Sequence, residues 1–179
     1  MTPRVRKLAL AVHLTVSIGW IGAVLAYLAL GTAAVTSRDV LTVRAAWVGM
    51  ELTGWYVIVP LAVGSLLTGV VMALGTRWGL LRYYWVLFAF ALTTLATITL
   101  LLHMPTVSSL ADSARQARGE QLDAMGGDLF HPAVCLVVLL AVLVLNVYKP
   151  PGMTRYGWRK QRERRRQEKT SSGQGFATP

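Results

Sequence analysis

One cysteine in 179 residues, Cys135, leaves no partner for an internal disulfide and no CxxC pair for a structural metal or a redox dithiol. Charge is scarce too. Only 15% of residues are Asp, Glu, Lys or Arg, against about 25% in an ordinary soluble domain, and they sit in a few short stretches. Acids are the rarest class, 8 against 18 Lys and Arg, and none lies in the middle of an apolar run. That removes the intramembrane carboxylates on which proton relays and many carriers depend. Histidine occurs three times, at His13, His103 and His131. The net charge of +10 does not point to nucleic acid, because half of the basic residues fall after Tyr148 and no recognition motif accompanies them.

What remains is apolar. Hydrophobic residues make up 54% of the chain, and four runs approach the ~20 residues needed to cross a bilayer as a helix. They cover about 8–30, 52–74, 83–104 and 131–148, the second as the inner part of a helix beginning near Arg38. The first run is too long for the ~7–15-residue apolar core of a cleaved signal peptide, so it reads as an uncleaved span. The pattern predicts an all-α, four-transmembrane-helix bundle over residues 1–148, followed by a basic tail over 149–179.

Orientation follows from the basic residues. Arg4, Arg6 and Lys7, then Arg77 and Arg82, then the nine in the tail share one side of the membrane. Arg38, Arg44, Arg115 and Arg118 share the other. The positive-inside bias places both termini in the cytoplasm, as in a multi-pass protein of the bacterial inner membrane. Trp78, Tyr83, Tyr84 and Trp85 are expected in an aromatic belt at the cytoplasmic interface, and Trp47 and Trp55 in one at the outer interface. The outer loop from Pro105 to Pro132 carries four acids against two arginines. Leu110, Ala114, Ala117 and Gln121 suggest a short amphipathic helix there, broken at Gly126–Gly127.

The tail opens with Pro150 and Pro151, which stop the last span. Arg159, Lys160, Arg162, Arg164, Arg165 and Arg166 follow directly. Juxtamembrane bases of this kind gain about 1 kcal/mol each at an anionic leaflet, so anionic lipid head groups are their expected partners. The final SSGQGFATP reads as disordered.

Ionisable groups within a span are candidates for function. His13 shares a helical face with Ser17, Trp20, Val24 and Tyr27, about 7–8 Å inside the cytoplasmic end. A hydrogen bond to Asn146 of the fourth span, at the same depth, would satisfy both polar groups. Haem ligation by His13, opposite Met72, is the sharper reading. At the outer rim His103 ends the third span, His131 opens the fourth and Glu51 stands at the outer end of the second. With Met104 or Cys135 nearby, Glu51, His103 and His131 form a candidate metal set, and the two rim histidines are candidate cofactor ligands for haem b or copper. Gly64, Ser65, Thr68 and Gly69 carry the small-xxx-small spacing of close helix packing.

Four stretches, HLTVSIGWIGAVLAYLAL, ELTGWYVIVPLAVGSLLTG, RYYWVLFAFALTTLATITLLLH and VYKPPGMTRYGW, resemble a group of small actinobacterial-type, four-span integral membrane proteins of unknown function. More remotely, His13 with Trp20 and Gly22 is similar to the copper-resistance D proteins and the membrane-bound protoporphyrinogen oxidase. The second likeness implies haem at His13. The position that would supply the oxidase's lysine falls near Ala89, so the resemblance implies haem binding without that reaction. Two further readings stand beside a haem- or metal-binding protein. One is a non-enzymatic membrane component that packs with itself or within a larger complex, and the other is a small-molecule or ion transporter.

Overall fold

The computed structural model describes residues 2–75, 81–117 and 128–174. Arg77, Trp78, Arg118, Gln121, Gly126–Gly127 and the last five residues lie outside that set, as do the side chains of Arg164, Arg165 and Arg166. The described chain is mostly helical, with five helices and, among the described residues, no strand. These are α1 (Pro3–Thr36), α2 (Val40–Gly75), α3 (Tyr84–Gln116), α4 (Phe130–Tyr148) and α5 (Arg155–Gln174). The first four are long and apolar enough to cross a membrane, which makes the chain a multi-pass membrane protein.

The first two helices start where the sequence supplies a side-chain cap. Thr2 accepts a hydrogen bond from the Val5 amide, with Pro3 in the first turn. Asp39 caps α2, accepting from the amides of Leu41 and Thr42 and from the Thr42 hydroxyl at 2.7 Å. Only Ser37, Arg38 and Asp39 separate α1 from α2, so these two must be antiparallel neighbours. In sequence order each helix packs on the next, and α4 returns to α1, closing an up-down-up-down ring.

Two places depart from the expected spans. Inside α2 one π-helical turn, Gly54–Ile58, precedes Pro60. The wider turn leaves room for Met104 of α3, whose Sδ and Cε would lie 2.8 and 2.6 Å from a Cβ at Gly54. α3 runs on past Met104 and through Pro105 to Gln116 as one helix. Its continuation is held by packing, since Met104, Val107, Ala111 and Ala114 make a fully buried stripe. Its end is held by Arg44 of α2, which donates from Nε to the Ala114 carbonyl and from Nη2 to that of Ala117. A guanidinium on the last carbonyls both satisfies them and opposes the helix dipole.

The main core lies toward the end of the bundle opposite the termini, around Trp20, Tyr27, Trp47, Met50 and Met104. Trp47 is therefore a core residue, 1% exposed, and not part of an interfacial belt. Trp85 also points inward, in a smaller cluster with Ala73 and Val86 near the terminal end. Trp55 and Tyr84 stay exposed, as belt residues would. Large apolar side chains elsewhere, such as Leu8, Ile18, Leu67 and Leu102, face outward, where a lipid solvent replaces water.

At the terminal end the chain folds back on itself. Thr154 donates from its hydroxyl to the Leu81 carbonyl and from its amide to the Arg82 carbonyl, and its hydroxyl accepts from the Gly157 amide at 3.1 Å. The start of α5 is thus pinned to the segment that leads into α3. The basic tail segment is helical from Arg159 to Gln174, so the helix takes in residues 171–174, the start of the stretch that reads as disordered in the sequence.

Candidate metal centre at the outer rim

His103 lies near the level where α3 leaves the apolar layer, and His131 is in the first turn of α4. The residue that joins them is Asp128, two positions before α4 begins. Its Oδ2 accepts from His103 Nε2 at 2.6 Å and its Oδ1 accepts from His131 Nδ1 at 3.0 Å. Tyr27 of α1 adds a longer donation to Oδ2 at 3.4 Å. Because an ionised carboxylate only accepts, these contacts fix which imidazole nitrogens carry protons. The carboxylate is 9% exposed and His103 18%, so both are largely withdrawn from water, while His131 is 48% exposed. The Asp128 loop approaches α1 closely, with the carbonyl of Asp128 3.3 Å from where a Cβ on Gly31 would stand.

The two imidazole rings stack, with centroids 4.0 Å apart and planes inclined by 23°. Stacking allows both rings to reach one carboxylate from the same side. It also rules on the cofactor. Two histidines that ligate one haem approach the iron from opposite faces, nitrogen toward nitrogen, and stacked rings do not. A small ion suits the set better. One ligand atom from each of His103, Asp128 and His131 lies within 4.8 Å of the other two. Metal–nitrogen and metal–oxygen bonds near 2.0–2.2 Å in a tetrahedral arrangement put ligand atoms about 3.3 Å apart. To reach that spacing the 3.0 Å contact must open by about 0.3 Å and the 2.6 Å contact by about 0.7 Å, and each imidazole must carry its proton on its other nitrogen so that the facing one can bind the ion.

The residues expected at this site are only partly together. Glu51 is not with the histidines; its carboxylate pairs with Arg115, which also holds Asp112. Met104 is buried against Gly54. Cys135 lies one turn beyond His131 and lines a cavity of about 240 Å³ that begins at the histidines. Asp128 is the member that sequence reasoning missed. Its signal was the spacing Asp128-Leu-Phe-His131, an acid three residues ahead of a histidine at a helix start.

His13 stands at the other end of the bundle. Its Nδ1 lies 2.9 Å from the Thr68 hydroxyl, and its Cε1 would touch a Cβ on Gly69 at 3.4 Å. Ser17 and Ser65 pair one turn further in, at 2.8 Å. The ring is held against α2 through its Nδ1 and Cε1 edge. Asn146 donates to the Val142 carbonyl of its own helix, so the expected His13–Asn146 bond gives way to His13–Thr68.

No family model matches the chain, and no curated protein or solved structure matches it. The rim geometry carries the functional argument by itself.

Proposed function

We propose that this chain is a metal-binding protein of the bacterial inner membrane, with both termini in the cytoplasm, that holds one divalent transition-metal ion at its outer rim. The observation that supports this most directly is the convergence of His103, Asp128 and His131 on one point. Two histidines and one carboxylate with positions left open is a donor set that suits iron(II) and zinc, and imidazole also takes copper(II) tightly. Charge favours the ion as well. Asp128 is a largely buried acid whose only partners among the described side chains are two imidazoles and a phenol, so a cation balances it. Three protein ligands leave room for a small molecule to bind the ion from outside. The remote likeness to copper-resistance proteins agrees with a metal role but places it at a different histidine.

The tail fits attachment to anionic lipid. Tyr156 and Trp158 are exposed at the start of α5, next to Arg155, Arg159 and Lys160, a mixture that lies well at a head-group boundary.

The deciding experiment is elemental analysis of protein purified without a metal-affinity tag, followed by titration of the stripped protein with Cu²⁺, Zn²⁺ and Co²⁺. The proposal requires one ion per chain and a Co²⁺ visible spectrum of histidine–carboxylate type. Sub-stoichiometric binding that persists unchanged in His103→Ala and Asp128→Ala would refute it.

A further inference from the structure

The cavity below the rim has a shape and a polarity that the metal reading does not use. On α3 its wall is Leu92, Leu95, Ala96 and Leu100, spaced to fall on one helical face, and it ends at His103. On α4 the facing wall is Val134 and Val138, and it ends at His131. From Leu92 to His103 is about 16 Å at 1.5 Å per residue, half the thickness of a bilayer core. Apart from Thr99 and Cys135, one turn along α3 and α4, its polar groups sit at one end, where Tyr27, His103, Asp128 and His131 meet. Leu95 is 62% exposed and Val134 46%, so the slot opens sideways between α3 and α4 toward lipid. A polar cap at head-group depth above an apolar, laterally open slot is the profile of a site for an amphiphile that arrives from within the membrane.

The head group is selected by charge and hydrogen bonding. Asp128 is a withdrawn carboxylate at the polar end, and it repels the carboxylate of a fatty acid or the phosphate of a phospholipid. A neutral head that donates is welcomed: Tyr27, His103 Nε2 and His131 Nδ1 already donate to Asp128, which leaves one free lone pair on Asp128 Oδ1 and the outer nitrogens, Nδ1 of His103 and Nε2 of His131, as acceptors. At about 240 Å³ the space falls just under the usual ~300–1,000 Å³ range of ligand pockets, enough for one ring and a stretch of a single chain. We infer that the slot between α3 and α4 binds a neutral, phenol-headed membrane lipid of the quinol class, its ring at the His103–Asp128–His131 cap and its chain lying along Leu92–Leu100. The cap is built from the same side chains as the proposed metal site, whereas the apolar slot and its lateral opening are formed without an ion, so binding of the chain is tested separately from the metal.

The test uses the full chain in phosphatidylcholine nanodiscs. The probe is a decyl hydroquinone carrying a diazirine at mid-chain, kept reduced under argon, photolysed, and mapped by mass spectrometry. Cross-links are expected on residues 92–100 and 134–138, and excess unlabelled decyl hydroquinone should cut their yield at least tenfold, while palmitate at the same concentration changes it less than twofold. Ala96→Phe fills the slot from α3 and Val138→Phe from α4. Each should remove the cross-link while leaving metal stoichiometry as in the parent, and the second serves if the first does not fold. Equal competition by palmitate would show a slot for any chain and overturn the head-group assignment. Labelling spread evenly over the lipid-facing sides of α1 and α2 would overturn the site itself. Loss of metal binding with the cross-link intact would count against the metal reading alone.

Discussion

The imidazole of His103 and the carboxylate of Asp128 meet at 2.6 Å across a separation of 25 residues, and this contact ties the end of the third apolar helix to the start of the fourth. Both groups are mostly out of water, so the pair is stronger than an exposed one and costlier to break. Asp128→Ala removes the acceptor of both histidines. It should lower stability by about 1–3 kcal/mol, the cost of a buried hydrogen-bonded group left without its partner, and weaken metal binding on the order of a hundredfold or more. Asp128→Asn keeps the shape and loses the charge, so it should retain most of the stability and little of the affinity. Thermal unfolding and Co²⁺ titration, run in parallel on both variants, separate the two effects.

A second test concerns how closely α2 and α3 approach. A methyl group on Gly54 would lie 2.6 Å from Met104 Cε and 2.8 Å from Sδ, so the buried end of Met104, 1% exposed and bordering the cavity, would have to shift. Gly54→Ala should destabilise the bundle by about 1–3 kcal/mol through overpacking, despite the better helix propensity of alanine. Met104→Ala alone costs stability through the lost buried side chain, and in that background Gly54→Ala should cost much less than in the parent. A single variant with an unchanged melting temperature would show that the π-helical turn can close without cost.

Much of this arrangement was legible in the residues. The four apolar runs, the small-residue seam at Gly64–Gly69 and the shared depth of His103 and His131 all follow from spacing and bilayer thickness. What the residues did not disclose depended on contacts between helices. Glu51 looked like the rim carboxylate because it opens the apolar part of α2. It is claimed instead by Arg115, which is available only because α3 continues through Pro105. A proline in sequence reads as a stop, and the packing of Val107, Ala111 and Ala114 overrides it. Trp47 shows the same limit. A tryptophan at interface depth suits a belt, but the helix face it occupies turns it into the core. The partner of His13 was also a matter of facing, since α1 touches both α2 and α4 and the ring turns to Thr68.

The docking of the tail rests on one glycine. A Cβ at Gly157 would stand 2.6 Å from the carbonyl oxygen of Arg82, a backbone atom that no side-chain rotation can move. Gly157→Ala should therefore separate the start of α5 from the segment leading into α3, breaking the bonds that Thr154 makes to Leu81 and Arg82. Limited trypsinolysis in nanodiscs should cut at Arg155 and Arg159 at least tenfold faster in the variant, with the span helices still protected. Thr154→Ala tests the same clasp from the other side, and it should give a smaller effect because the Thr154 amide bond to Arg82 survives. Equal cleavage rates in all three proteins would mean that the clasp does not hold the tail.

Acid should weaken the turn between α1 and α2 through Asp39. Hydrogen bonds from the Thr42 hydroxyl, the Thr42 amide and the Leu41 amide stabilise its charged form and hold its pKa below the usual carboxylate value of 3.8. A group whose pKa is lowered on folding contributes stability above its unfolded pKa and loses it as pH falls through the folded one. The cap is thus at full strength at neutral pH and fades as pH falls below about 4. Asp39→Ala should lower the melting temperature at pH 7 and differ much less from the parent at pH 3. Asp39→Ser, which keeps an N-cap acceptor without a titrating group, should show a smaller and nearly pH-independent deficit. A constant gap between Asp39→Ala and the parent from pH 7 to pH 3 would show that the cap acts through its geometry and that its charge contributes nothing.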